Sequence, residues 1–139
     1  MRVFLERSIF PCVQSDVVKW HNEHGWCWNV VEAEGNRAIG VFYCTLLYSD
    51  GCIIHCDTVP GLAISPATVL FAMRKCLAKV ADICQVVYAT VPASNHKLIR
   101  CLIKLGFGLT DGGYQYDGNE IVLLKYFKGE RFILTQENS

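Results

Sequence analysis

The residues best suited to moving a proton are His55 and Asp57, which alternate with Ile53 along a stretch that reads as a strand over 52–59. Successive strand residues point to opposite faces, so Ile53, His55 and Asp57 share one side. An imidazole beside a carboxylate is suited to accepting a proton near neutral pH, which is what a general base does; a structural sheet histidine held by that Asp is the other reading. Cys56 falls on the opposite face, which argues against a cysteine nucleophile paired with His55. Cys52 and Cys56 are four apart with His55 turned away, and no Cys-x-x-Cys pair occurs. Zinc ligands must converge on one point, so no metal site is expected. Glu32 and Glu34 share a face of an earlier strand and are weaker candidates, with the solvent side of an edge as their other reading. Trp20, Trp26 and Trp28 read as core or as the wall of a cleft.

The elements that must position these side chains follow from periodicity and caps. Residues 2–10 form a first strand. Ser15 or Asp16 caps a short helix that contains Val17, Val18 and Trp20 and ends near Gly25. Aromatic and β-branched residues over 26–34 make a second strand, Gly35-Asn36 a turn, and 38–48 a long apolar strand. Asp50-Gly51 is a hairpin signal, because both positions tolerate positive φ. The returning strand, 52–59, stops at Pro60-Gly61. Ser65-Pro66 opens a helix by a cap oxygen and a residue that sacrifices no useful N–H. The run 84–91 is apolar throughout, as in a strand buried on both faces. Ser94 or Asn95 caps a further helix that ends at Leu105-Gly106. A glycine-broken strand over 107–116, the Asp117-Gly118 hairpin and a last strand over 119–127 complete the order β-α-β-β-β-α-β-α-β-β. Its strand–helix–strand unit demands two parallel neighbours, so the fold class is α/β: a central mixed sheet flanked by helices.

The 139 residues balance 13 Lys and Arg against 13 Asp and Glu. That neutrality, with no basic stripe beyond one helix, argues against a nucleic-acid binder. No apolar run is long enough to span a bilayer, and the charged first residues do not read as a signal peptide, so a cytoplasmic location is expected. No linker or repeat divides the chain, which reads as one domain with a frayed tail over 135–139. The eight cysteines lie mostly in apolar runs and read as small core residues such as Cys44, Cys76, Cys84 and Cys101, not as a disulfide framework.

The element order, with Asn95 opening a helix that ends in Lys104-Leu105-Gly106-Phe107, resembles the GNAT (N-acetyltransferase) superfamily over about residues 38–127. The resemblance implies transfer of an acetyl group from acetyl-CoA to a small-molecule or protein amine by direct attack. It implies that Asn95 contacts the pantetheine arm, a plain helix cap being its other reading. The basic helix face of His96, Lys97, Arg100 and Lys104 meets a phosphate of the cofactor or is simply solvated. The family's glycine-rich pyrophosphate loop would fall on residues 61–68. That stretch has none of the family's Arg, Gln or glycines at the required places, and Pro66 removes a donor. Ser65, Ala67 and Thr68 remain as donors. The family's tyrosine proton donor is replaced by Leu102, Cys101 points about 100° away from it around the helix, and Tyr88, Tyr114 or Tyr116 stand as substitutes. The loop also resembles that of degenerate GNAT-like phage and prophage proteins, which implies the competing function of a non-catalytic binding or assembly module.

Overall fold

The computed structural model describes residues 2–7, 10–46 and 51–127. Asp50 of the first hairpin signal and the 135–139 tail lie outside them. The elements are β1 (Val3–Arg7), α1 (Asp16–His24), β2 (Trp26–Glu32), β3 (Arg37–Leu46), β4 (Gly51–Thr58), α2 (Pro66–Ala81), β5 (Val86–Pro92), α3 (His96–Leu105), β6 (Gly108–Leu109), β7 (Tyr114–Tyr116) and β8 (Asn119–Phe127). They match the expected order. The 107–116 strand is split in two, because the segment between β6 and β7 carries Gly112 and Gly113 and leaves the ladder there.

The strands form one mixed sheet in the order β1-β2-β3-β4-β5-β8-β6, with β7 also on β8. Every pair is antiparallel except β4–β5, the pair that α2 bridges. The caps are those the sequence signals. Ser65 Oγ accepts from the Thr68 N–H at 3.2 Å, and Asn95 Oδ1 accepts from the Leu98 N–H at 3.2 Å. Gly106 ends α3 with φ at 111°, a left-handed conformation that costs a glycine little. Asp117 and Gly118 both take positive φ, so the last hairpin closes as its sequence requires.

Each face of the sheet has its own core. Facing α2 and α3, Val3, Trp28, Phe42, Cys44, Val87, Leu124 and others make the larger cluster. Facing α1, a smaller cluster holds Val18, Cys27, Val41 and Tyr43. The segment before α1 is pinned to that second face by Asn29, a buried side chain on β2. Its Oδ1 accepts from the Cys12 N–H at 2.8 Å, and its Nδ2 donates to the Phe10 carbonyl at 3.4 Å. Such pairing is what makes a buried amide tolerable. The far end of α1 is fixed by Gly25, where an added Cβ would lie 2.2 Å from the Cys44 carbonyl oxygen. α1 therefore sits hard against β3.

Candidate active site

β4 and β5 pair over only four residues each, from Gly51↔Val86 to Ile54↔Ala89. Beyond that point β4 continues to Thr58 with β3 as its partner, and β5 continues to Pro92 with β8. The sheet therefore splits. The split is a cleft of about 280 Å³, lined from β4 by Ile54, His55, Cys56 and Asp57 and from β5 by Ala89, Thr90 and Val91. Val69 and Met73 of α2 and Leu98 and Leu102 of α3 line it on one side of the sheet, and Tyr43 on the other. The cleft edges of two strands that no longer pair with each other are surfaces on which an extended, amide-bearing chain can find backbone partners.

His55 and Asp57 line this cleft together, on the face they were expected to share. Register places Tyr43 opposite His55 and Val41 opposite Asp57. The hydrogen bond on Asp57, however, comes from Tyr43, whose Oη donates to Asp57 Oδ2 at 2.8 Å. His55 is instead held between rings: its centroid lies 5.3 Å from Tyr43, stacked, and 5.5 Å from His21 of α1, edge-on. His21 Nδ1 is bonded to the Val17 carbonyl at 2.8 Å, so that nitrogen carries the proton and Nε2 is left on the other side of the ring.

The electrostatics suit proton transfer. Burial, then the electrostatic influence of the neighbouring His21, push the His55 pKa below its ordinary 6.5, against the opposing pull of Asp57. His55 is thus neutral and proton-accepting at pH 7. Burial, then the Asp57 hydrogen bond and charge, hold the Tyr43 phenol far above its ordinary 10, so it stays a donor. Tyr43 and His21 were missed from sequence. Tyr43 stands in a run that reads as core, and only the β3–β4 register reveals its partner.

The other expected residues lie elsewhere. Tyr88 sits on the paired part of β5, opposite Ile53, with its ring over Gly51, and is not among the residues lining the cleft. Tyr114 and Tyr116 are exposed on β7. Leu102 is buried on the cleft side of α3, and the neighbouring Cys101 is half-buried. Glu32 is engaged in an ion pair with Arg37 at 2.8 Å, and Glu34 falls in the turn beyond β2. The tryptophans separate: Trp28 stacks on Phe42 in the core with Arg7 over its ring, Trp26 packs at the core margin, and Trp20 is half-exposed on α1 against His24. Among the described residues no cluster of three His, Cys, Asp or Glu could hold a metal.

At the start of α2 the donors are few. Pro66 has none, Thr68 N–H is taken by Ser65 Oγ, and Val69 N–H by the Ser65 carbonyl at 3.1 Å. The Ser65 and Thr68 hydroxyls bond each other at 2.8 Å. Ala67, exposed at the second position of the helix, keeps the N–H that points out of the first turn. Asn95 spends its carbonyl oxygen on its cap, and Arg100 is exposed on α3.

No family model matches the sequence, and no curated protein sequence matches it. Solved structures do match in shape. A GNAT family acetyltransferase from Elizabethkingia anophelis with acetyl-CoA bound aligns at TM-score 0.63 and 10% identity, over 91% of this chain and 97% of that one. IAA acetyltransferase from Bacillus cereus aligns at TM-score 0.65 and 10% identity, over 91% and 99%. An acetyltransferase of the GNAT family from Bacillus anthracis aligns at TM-score 0.64 and 13% identity, over 78% and 71%. The fold is that of the GNAT acetyltransferases.

Proposed function

We propose that the chain is an acetyl-CoA-dependent N-acetyltransferase that acetylates a small-molecule or protein amine in the cleft between β4 and β5. One observation carries the reading: the split in the sheet opens onto a neutral histidine stacked on a phenol that is hydrogen-bonded to a carboxylate. The backbone edges of β4 and β5 fit a pantetheine arm, since they are hydrogen-bonding strand edges that face one another without pairing. The start of α2 fits a pyrophosphate less well, because Ala67 offers its one outward N–H there; the exposed Arg100 face and Asn95 of α3 are the further groups that would meet the cofactor.

When bound, acetyl-CoA supplies an activated carbonyl. The protein's share is proton handling. His55 takes the proton that the attacking amine must lose, and the adjacent Asp57 charge stabilises the imidazolium that results. Tyr43 fixes Asp57 by its hydrogen bond, which engages the phenol proton; the proton gained by His55 is then the one the protein can return to the leaving thiolate, the role that sequence had offered to Tyr88.

A second reading is favoured by the α2 start: a GNAT-shaped binding or assembly module of the phage type that no longer holds the cofactor. Calorimetric titration of the reduced protein with acetyl-CoA and CoA separates the two. Micromolar binding, followed by acetylation of an amine panel that is lost in His55→Ala, is the result expected of the enzyme. No heat and no thermal stabilisation at millimolar CoA would leave the module.

A further inference from the structure

Cys56 is the one exposed cysteine of the chain's eight, although it stands mid-strand in a sheet whose faces are both covered. The cause is the split: Cys56 lies two residues past the last β4–β5 pair and lines the cleft. Its side chain points to the α2 face, where it also lines two small cavities of about 70 Å³ and 20 Å³. Cys76 of α2, buried, lines both of those cavities. Two thiols, one open to solvent and one enclosed, thus border the same two small spaces beneath the cleft.

From this geometry we infer that Cys56 and Cys76 form an oxidation site in which a peroxide converts the pair to a disulfide at the floor of the cleft. The Cys56 thiolate attacks one peroxide oxygen, the O–O bond breaks, and hydroxide leaves and is protonated to water. Cys56 is then a sulfenic acid. The Cys76 sulfur attacks the Cys56 sulfur, the S–O bond breaks, and the hydroxyl departs as water with the Cys76 proton. The two thiols lose two electrons and the peroxide gains them. The roles are not interchangeable. A hydrogen bond with Cys56, and then burial, keep the Cys76 thiol protonated well above the ordinary thiol range. Cys56, exposed where Cys76 is buried, meets the oxidant first, and resolution by Cys76 accelerates as pH rises. The closed bond ties the unpaired end of β4 to α2 and takes the only exposed thiol out of the cleft.

The test is hydrogen peroxide added to the reduced full-length chain, followed by intact mass and peptide mapping. The expected product is lighter by two hydrogen atoms, has lost maleimide labelling at Cys56, and reverts with dithiothreitol. Trypsin releases Cys76 in the peptide 76–79, and Cys56 in 38–74 together with Cys44 and Cys52, so fragmentation of the linked peptides locates the bond. In Cys76→Ser, oxidation is expected to stop at a dimedone-reactive Cys56. If that variant does not fold, the rate of bond formation in the native chain at neutral and mildly alkaline pH serves instead, and it should rise with pH. A bond from Cys76 to Cys44 or Cys52, or oxidation of Cys56 to the sulfinic acid without a bond, overturns the inference.

Discussion

The cleft between β4 and β5 and the start of α2 treat the same requirement in opposite ways. The cleft carries its chemistry on side chains: His55, Asp57, Tyr43 and His21 are each held by a ring or a hydrogen bond. The start of α2 would have to carry its chemistry on the backbone, and there the donors are spent within the helix or removed by Pro66. Side chains and backbone donors answer to different constraints. An acid–base group needs only the right register between two strands, whereas a phosphate cradle needs a loop whose N–H groups have no better partner. The chain meets the first condition in full and the second at one position.

Five changes break or sharpen that contrast. His55→Ala has the largest expected effect: loss of the base should lower kcat/KM for amine acetylation by about 10²–10⁴-fold, in steady-state rates with CoA binding unchanged. Tyr43→Phe removes the phenol that satisfies Asp57, and should cost about 1.5–3 kcal/mol in urea unfolding, as for other hydrogen bonds to charged groups. Acidification comes next. The His55 pKa is lowered in the folded state, so the stability it contributes is intact above its ordinary 6.5 and is lost as pH falls through the lower folded value. The acid limb of the rate profile should therefore lie below 6.5, and His21→Ala should move it upward by removing a lowering influence. Pro66→Ala has the smallest expected effect. One added N–H at the helix start should tighten CoA binding about fivefold, the worth of roughly one hydrogen bond. An unchanged affinity would place the pyrophosphate elsewhere.

Most of the fold was legible because its signals are local. Ser65-Pro66, Asn95, Gly106 and Asp117-Gly118 each demand one backbone conformation, and the structure adopts it. The shared face of His55 and Asp57 was legible for the same reason, since it rests on period-two alternation alone. The length of the β4–β5 ladder was not. Past Ile54, β4 carries His55, Cys56, Asp57 and Thr58 and keeps its pairing with β3, so nothing in its own residues marks where β5 leaves it. Without the split, Tyr43 reads as one more core aromatic, Tyr88 as good a phenol as any, and Cys56 as a buried thiol.

The four-residue ladder between β4 and β5 also sets how the molecule divides under stress. On one side lie β1 to β4, on the other β5, β8, β6 and β7, and each leaf is internally antiparallel with ladders of up to seven pairs. Past those four pairs the leaves share no backbone pairing, so the spine is the seam along which they can part from one another. Of the amides at 51–54 and 86–89, those that bond across the seam should exchange faster than those that bond to β3 or β8, and a ligand that lies across both strands would act as a staple along the binding edge of a book.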